Sequence, residues 1–204
     1  PTRGSIAPRT AAAPVRIRAT ALEFEREPLI RPSGFKGGFM TEFWQVVARM
    51  ESDTGQDAVG LGTQNVLWCD PEVLAAFSES GANSLMLAVT DRALQMVRGE
   101  SFANPMVLLE ALLPELQAYA QRITGMPALN PTFVLNALIP FDNAAWLLYA
   151  RANGIATFDE LVPERFRPGL SYRHRAVASL PSVTYGLPLS EVEQAAADGY
   201  FVIK

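Results

Sequence analysis

Apolar and polar residues alternate near the start of the chain. The apolar positions are Val15, Ile17, Ala19 and Ala21, and the positions between them are Arg16, Arg18 and Thr20. A period of two residues is typical of a β-strand that buries one face, because successive side chains of a strand point to opposite sides. The pattern therefore predicts a first strand that begins near Val15.

The same alternation returns further along the chain. Over residues 41–51, the apolar residues on one face are Trp44, Val46, Ala48 and Met50. Turn-forming residues follow at Asp53, Thr54 and Gly55, and a second run covers residues 58–66. These segments predict a hairpin, and with the first strand they predict a three-stranded antiparallel meander.

Residues 27–40, between the first strand and the hairpin, are rich in glycine and proline. These residues are Pro28, Pro32, Gly34, Gly37 and Gly38. Because glycine and proline interrupt regular elements, we expect a long mobile loop here. Long loops within compact domains are often functional.

A helix is predicted from Asn104 onward. Asn104 is a candidate cap, Pro105 suits the first helical position, and Gly125 ends the pattern. The apolar residues between them recur three and four apart, at Leu108, Leu112, Leu116, Tyr119 and Ile123. We expect Pro114 to bend or divide this helix.

The same punctuation at Asn130 and Pro131 predicts another helix. One apolar stripe runs along it, made of Val134, Leu138, Phe141, Ala145 and Leu148. The pattern predicts a single helix that ends at Asn153 and Gly154.

The final segment predicts a strand, a helix and a second strand. Residues 176–180 and 200–203 are short apolar runs. Ser190 is a candidate cap for a helix through residues 193–197, and Gly199 closes it. Such a βαβ unit places parallel strands side by side, and their carboxyl ends carry chemistry in barrel enzymes.

Composition supports a folded chain. Of its 204 residues, 49% are hydrophobic and 19% are charged, which suffices for a buried core. The net charge is -4, and no Lys/Arg cluster is interleaved with aromatic residues, so we expect no nucleic-acid partner. The apolar runs are far shorter than the ~20 residues of a membrane span, so we expect no membrane association.

Cys69 and His174 are the only residues of their types, which excludes an intramolecular disulfide and a Cys/His zinc set. This favours a reducing compartment, and we expect a cytoplasmic protein. Residues 1–14 have no apolar core and no secretory segment, and we interpret them as a flexible arm. A leader removed in processing would leave no trace, so export stays open.

Three segments resemble the enolase superfamily, of the mandelate racemase and muconate lactonizing enzyme type. Residues 141–154, FDNAAWLLYARANG, resemble the lid-domain helix that the family writes approximately as IDIALWDLKGKALG, with Asp142, Ala144, Trp146 and Gly154 at matching positions. Residues 158–162 resemble the segment that leads into the barrel. Leu147 departs from the family, which often has an acidic residue there.

The hairpin over residues 43–62, with its GLG sequence at the end, resembles the second and third lid strands and the loop after them. Residues 191–204, EVEQAAADGYFVIK, resemble the first helix and second strand of the barrel. The resemblance implies an α+β lid domain over residues 15–170. It also implies that residues 171–204 begin a (β/α)8 TIM barrel, which is incomplete in this chain.

The resemblance also implies a reaction. Family members remove the proton α to a carboxylate and stabilise the resulting ene-diolate with Mg²⁺. The implied enzyme is a racemase, epimerase or cycloisomerase, or else an acid-sugar dehydratase, and acts on a small carboxylate substrate as a homo-oligomer. The magnesium ligands are expected outside this sequence, on the remainder of the barrel, so the chain alone should be inactive.

Candidate site residues are assigned from their positions in the chain and from the resemblance. Lys204 stands at the first lysine of the family's Lys-x-Lys pair, where an ammonium would bind the substrate carboxylate; a solvated terminal lysine is the alternative. Lys36, between Phe35 and glycines, is a candidate lid contact to an anionic substrate, although loop lysines are usually just solvated. The other candidate lid contacts are Phe35, Phe39 and Met40, together with Gly60, Gly62 and Thr63. The last three are expected to form a second lid loop, where the missing side chains of the glycines would allow close approach of a ligand.

Two further polar residues are expected to be structural. Asp142 lies in an apolar stripe, so its burial requires a fixed hydrogen-bonding partner. His174, between two arginines, is expected to be solvated or structural rather than catalytic.

A non-catalytic binding or interaction domain is the alternative function. It predicts that the apolar runs at residues 176–180 and 200–203 are covered by the chain's own helices. The enzyme interpretation predicts that both runs are uncovered in this chain.

Overall fold

The computed structural model describes residues 12–170, 172, 174–184 and 186–202. Its sheet has four strands, β1 (Val15–Phe35), β2 (Gly38–Ser52), β3 (Asp57–Gln64) and β4 (Ser101–Phe102). They are antiparallel and lie in the order β3-β2-β1-β4. The predicted meander is confirmed, and β4 adds a short strand that pairs only with Val15 and Arg16.

Eight helices follow in the described part of the chain: α1 (Val66–Cys69), α2 (Pro71–Met96), α3 (Pro105–Thr124), α4 (Pro131–Ala137), α5 (Ile139–Ala152), α6 (Phe158–Leu161), α7 (Arg167–Leu170) and α8 (Leu189–Ala197). A 3-10 turn, Glu164–Phe166, precedes α7. The core lies between the sheet and helices α2 to α5, and its largest fully buried side chains include Phe133, Phe141 and Ile17.

Helix α3 confirms the predicted start and end. Asn104 accepts a hydrogen bond from the backbone N–H of Met106, and Gly125 ends the helix with a left-handed φ of 66°. Pro114 lies within α3 without dividing it. Proline frees the carbonyl four residues earlier, and since both Pro114 and Glu110 are exposed, water can bind that carbonyl.

The single helix predicted from Pro131 is wrong, because it is broken at Leu138 into α4 and α5, which are bent by 48°. Pro140 stands in the first turn of α5, where a proline cannot donate a backbone hydrogen bond to the preceding turn. The break lets α5 pack along β3.

Beyond α7, the described residues form α8 but no strand. Residues 176–180, predicted as a strand, have no regular secondary structure and are exposed, and residues 200–202 are likewise not a strand. A strand needs a hydrogen-bonded neighbour, and none lies beside these segments in the described chain. Ser190 lies inside α8, which follows Pro188, so its predicted capping role is wrong.

Candidate functional site

The segment predicted as a mobile loop is instead the end of a long β-hairpin. Strand β1 runs to Phe35 and β2 starts at Gly38, with only Lys36 and Gly37 between them. Both turn residues have positive φ, 49° and 80°, as two-residue hairpin turns require. We call residues 27–40 the hairpin tip.

The hairpin tip accommodates its prolines through a large bulge in β1. Pro28 pairs with Glu42 and Ser33 with Met40, so the four residues 29–32 stand opposite Thr41 alone. The outer edge of β1 has no strand partner beyond Arg16 in the described chain. Prolines on a free edge or in a bulge cost no ladder hydrogen bond, which explains why the tip remains a β-hairpin despite them.

Three predicted lid residues cluster at the turn. Lys36 Nζ donates to the backbone oxygen of Trp68 at 3.2 Å and lies 5.3 Å from the centre of the Phe35 ring. Phe35 and Phe39 are 41% and 55% exposed, so they can contact a molecule outside the sheet. Met40 is only 5% exposed and is part of the interior, not of the tip surface.

Gly60, Gly62 and Thr63 are not in a loop but within β3. A Cβ on Gly60 would stand 2.1 Å from the Pro140 carbonyl oxygen, and one on Gly62 would stand 2.4 Å from the Pro140 ring. The glycines therefore admit α5 against the strand, and the loop prediction is wrong. By register, Thr63 lies level with Gln45, six residues or about 20 Å from Phe39, so these residues are not brought to the tip.

A polar network holds the hairpin to α2 next to the tip, at residues 24–26 and 41–44, which we call the root of the hairpin. Glu79 Oε1 and Oε2 accept from the backbone N–H of Thr41 at 2.9 and 3.0 Å, and Asn65 Nδ2 reaches the Glu42 carbonyl at 3.0 Å. Helix α2 breaks at Ser78, whose φ of 63° is strained for a residue with a side chain. The break turns Glu79 toward the strand.

Glu42 is the buried centre of this network. Its carboxylate accepts from Arg26 Nε at 2.9 Å, Trp44 Nε1 at 3.0 Å and Ser80 Oγ at 3.1 Å. Burial is the largest single influence and raises the pKa of the Glu42 carboxyl, but these hydrogen bonds and the Arg26 charge together bring the pKa below its ordinary value. Glu42 is therefore ionised at neutral pH.

Aromatic contacts stiffen the same root. The rings of Phe24 and Trp44 stack with centres 4.7 Å apart, and the Arg26 guanidinium lies 5.8 Å from the Trp44 ring centre. The sequence analysis predicted none of the polar residues of this network. One signal was present: Asp70 and Pro71 mark the start of α2, as Asn104 and Pro105 mark the start of α3.

The other predicted residues do not join this region. Asp142 is half-buried in the first turn of α5, burial raises the pKa of its carboxyl, and it has no fixed side-chain partner among the described residues, contrary to expectation. His174 is exposed, and its ring is nearly perpendicular to that of Tyr172, with centres 4.7 Å apart. Lys204 lies outside the described residues.

An apolar groove of about 640 Å³ lies between the outer surface of β3, helix α5 and residues 158–170. Val59, Leu61, Trp146, Leu147 and Phe158 are among its lining residues. No charged side chain lines it within the described chain, so the groove suits packing against an apolar surface rather than binding of a carboxylate.

The described residues include no group of three His, Cys, Asp or Glu side chains that could hold a metal ion. They also include no single helix long and apolar enough to cross a membrane; α4 and α5 pass that test only when taken together across their 48° bend.

No family model and no curated protein matches the sequence. Solved structures do match. L-talarate/galactarate dehydratase from Salmonella typhimurium LT2, liganded with Mg and L-lyxarohydroxamate, shares 19% identity at a TM-score of 0.57 over 98% of this chain and 46% of that chain. An enolase from Bradyrhizobium complexed with magnesium and mandelic acid shares 16% at 0.53, over 93% and 45%.

Dipeptide epimerase from Enterococcus faecalis V583, complexed with Mg and a dipeptide, shares 13% identity at a TM-score of 0.53 over 89% of this chain and 42% of that chain. The chain thus spans less than half the length of these structures. The fold of this chain is similar to that part of these enzymes. Similar structures include mandelate racemase/muconate lactonizing enzymes, so the resemblance to that type is confirmed at the level of fold.

Proposed function

We propose that this chain is the substrate-enclosing part of an enolase-superfamily enzyme that removes the proton α to a carboxylate. One observation carries the proposal: nearly the whole chain, 98% of it, matches less than half of a dehydratase with this fold. The division into an arm (1–14), a lid domain (15–170) and the start of a barrel (171–204) belongs to the same proposal.

In the proposed enzyme, the hairpin tip covers the substrate. Phe35 and Phe39 supply exposed apolar surface that excludes water, and Lys36 supplies a cation beside them. Lys204 is proposed to hold the substrate carboxylate from the barrel side. The rigid root around Glu42 gives the tip a fixed base from which to act.

Magnesium is proposed as the cofactor, because similar structures were obtained with it. The ion would stabilise the ene-diolate. The described residues do not fit such an ion, since they offer no set of three acidic, His or Cys side chains. The proposal therefore places its ligands on residues outside this chain.

The ligands in the similar structures bear on the substrate class. They include L-glucarate, mandelic acid and a dipeptide, each of which has a hydrogen on the carbon next to a carboxyl group. We propose a small carboxylate of this kind for this protein too. The reaction would be racemisation, epimerisation or cycloisomerisation, or dehydration of an acid sugar.

The alternative, a non-catalytic interaction domain, predicted that the apolar runs near the end of the chain are covered. Val177 and Phe201 are instead 85% and 86% exposed. Exposed apolar residues of this kind need a further surface to cover them, and this supports the enzyme interpretation.

Proton exchange in heavy water tests the proposal. The protein extended beyond Lys204 is incubated with Mg²⁺ in D₂O and with a panel of acid sugars, mandelate and dipeptides, and the α-proton signals are followed by NMR. We expect one substrate to lose its α-proton signal, and we expect the 204-residue chain alone to produce no exchange. Absence of exchange in every substrate with the extended protein would overturn the proposal.

Calorimetry of the chain alone tests the location of the metal site. Titration of Mg²⁺ into the 204-residue chain should show no tight stoichiometric binding, because a hard divalent ion needs several convergent oxygen ligands. A stoichiometric site in this titration would place the ligands within the chain.

A further inference from the structure

One ion pair links the hairpin tip to helix α8, across 160 positions of sequence. Arg31 Nη1 and Nη2 donate to Glu191 Oε1 and Oε2 at 2.6 and 2.8 Å. This two-bond geometry matches the planar guanidinium to the planar carboxylate and fixes orientation as well as distance. A single contact of this kind can therefore set the angle of the tip relative to α8.

The bulge in β1 presents Arg31 for this contact. Arg31 is one of the four residues that stand opposite Thr41 alone, so it is outside the regular ladder. Had the strand continued in register, its side chains would alternate between the two sheet faces. The bulge frees Arg31 from that alternation and lets its side chain reach α8.

The apolar residues closest in sequence to the ion pair on the tip and at the start of α8 do not pack there: Ile30, next to Arg31, is fully exposed, and Leu189, the first residue of α8, is 70% exposed. The contact thus rests on charge between two exposed side chains. Exposed ion pairs are weak and are screened by salt, so this contact can open and close readily.

We propose that Arg31 and Glu191 form a reversible latch that positions the hairpin tip over the substrate end of the barrel. Neither residue touches the reacting atoms in this proposal; both are positioning residues. The proposal rests on the proposed function for its purpose, but the latch itself is a property of this chain. Nothing in the sequence pattern pointed to either residue.

Distance measurements on the 204-residue chain test the latch without catalysis. Nitroxide labels are placed at Ile30→Cys and Glu193→Cys, both exposed; Cys69 is buried and its thiol pKa is raised to about 12, so it should escape labelling. Distance measurement by electron paramagnetic resonance should give one narrow distribution of label-to-label distances at low salt. The distribution should broaden in about 1 M salt, where the Debye length is only ~3 Å.

Charge variants of the labelled chain test whether the Arg31–Glu191 pair is what keeps the distance distribution narrow. Glu191→Gln should broaden the distribution as high salt does, whereas the exchanged pair Arg31→Glu with Glu191→Arg should restore a narrow one. Arg92→Gln removes the separate Arg92–Glu115 pair and is the matched control, which should change nothing. A distribution that is broad in the parent, or unchanged by Glu191→Gln, would overturn the latch.

Kinetics of the extended protein then test the purpose of the latch. Glu191→Gln should raise KM about two- to fivefold with little change in kcat, the range expected for one exposed ion pair, and the exchanged pair should recover it. A narrow distance distribution with unaltered KM would mean that the latch exists but does not position the lid. Absence of any turnover, with the distances as expected, would count against the proposed function and leave the latch established.

Discussion

Gly60 of β3 lies so close to Pro140 of α5 that a Cβ atom on the glycine would stand 2.1 Å from the proline carbonyl oxygen. The neighbouring atoms are backbone, which cannot swing aside as a flexible side chain can. Gly60→Ala should therefore force α5 away from the sheet and destabilise the chain by about 2–4 kcal/mol, at or above the usual cost of overpacking. Urea unfolding of the variant measures this.

Gly169→Ala is the matched control for that experiment. No atom lies within 4 Å of a Cβ built there, and the residue is exposed in α7. Its unfolding free energy should stay within about 0.5 kcal/mol of the parent. Equal effects of the two substitutions would contradict the close approach of α5 to β3.

Glu42→Ala should also destabilise the chain, by about 2–3 kcal/mol. The substitution leaves the Trp44 indole N–H and the Ser80 hydroxyl without their acceptor in a buried place. Glu23→Ala, an exposed glutamate on β1, provides the comparison and should be nearly neutral. Thermal unfolding monitored by tryptophan fluorescence, to which Trp44 contributes with Trp68 and Trp146, measures the difference.

The contribution of Glu42 should depend on pH. Because its pKa is lowered in the folded chain, its stabilisation is fully present above the ordinary glutamate pKa of about 4.3 and is lost as pH falls through the lower folded value. The stability difference between parent and Glu42→Ala should therefore be constant from about pH 7 to 5 and shrink below about pH 4. A stability difference that grows as the pH falls would mean that the pKa of Glu42 is raised, not lowered, in the folded chain.

Cys69 should resist thiol reagents while the chain is folded. Burial raises the pKa of its thiol to about 12, with a nearby Lys36 charge opposing and Asp70 reinforcing the shift. The reactive species is the thiolate, so at about pH 8 labelling should be at least a hundredfold slower in buffer than in urea. Ile30→Cys, whose side chain is exposed, should react in both conditions and serves as the control.

Lys36→Ala should separate function from stability. The side chain is exposed and makes one hydrogen bond, and alanine and lysine bear a similar cost at the positive φ of this turn. The melting temperature should hardly change, while KM in the extended protein should rise by an amount equivalent to about 1–3 kcal/mol. Lys36→Arg should retain most of the affinity; a large loss of melting temperature with unaltered kinetics would show that Lys36 holds structure.

Local signals predicted the regular part of the fold well. Alternation fixed the faces of β2, and Asn104 with Gly125 marked the two ends of α3, because these features depend on neighbours in sequence. Helix α2 escaped the same approach: its serines and Gly81 interrupt the apolar pattern, although the buried positions Ala82, Met86 and Val89 keep helical spacing. Its residue Glu79 accepts hydrogen bonds from β2, which is far away in sequence, and no local pattern reveals such a contact.

The predictions that were wrong share one cause. Glycine at positions 60 and 62 was interpreted as loop freedom, whereas the space is taken by α5, and the prolines of the hairpin tip were interpreted as breakers, whereas the free edge of β1 tolerates them. In each case a partner distant in sequence decides what the residue does. The strands predicted after residue 170 are not present among the described residues, and Lys204 lies outside them.

Because of the bulge over residues 29–32, the length of the tip can change without changing the register of the sheet. Pairing on one side is held at Pro28 and on the other at Ser33, and Thr41 offers no partner to the residues between them. Residues can be inserted or deleted there while both ladders keep their hydrogen bonds and every buried side chain keeps its face. In the proposed enzyme, the tip is thus the place where mutation can alter substrate preference at little cost in folding, and a library of length variants at residues 29–32 would be the starting point for redesigning that preference.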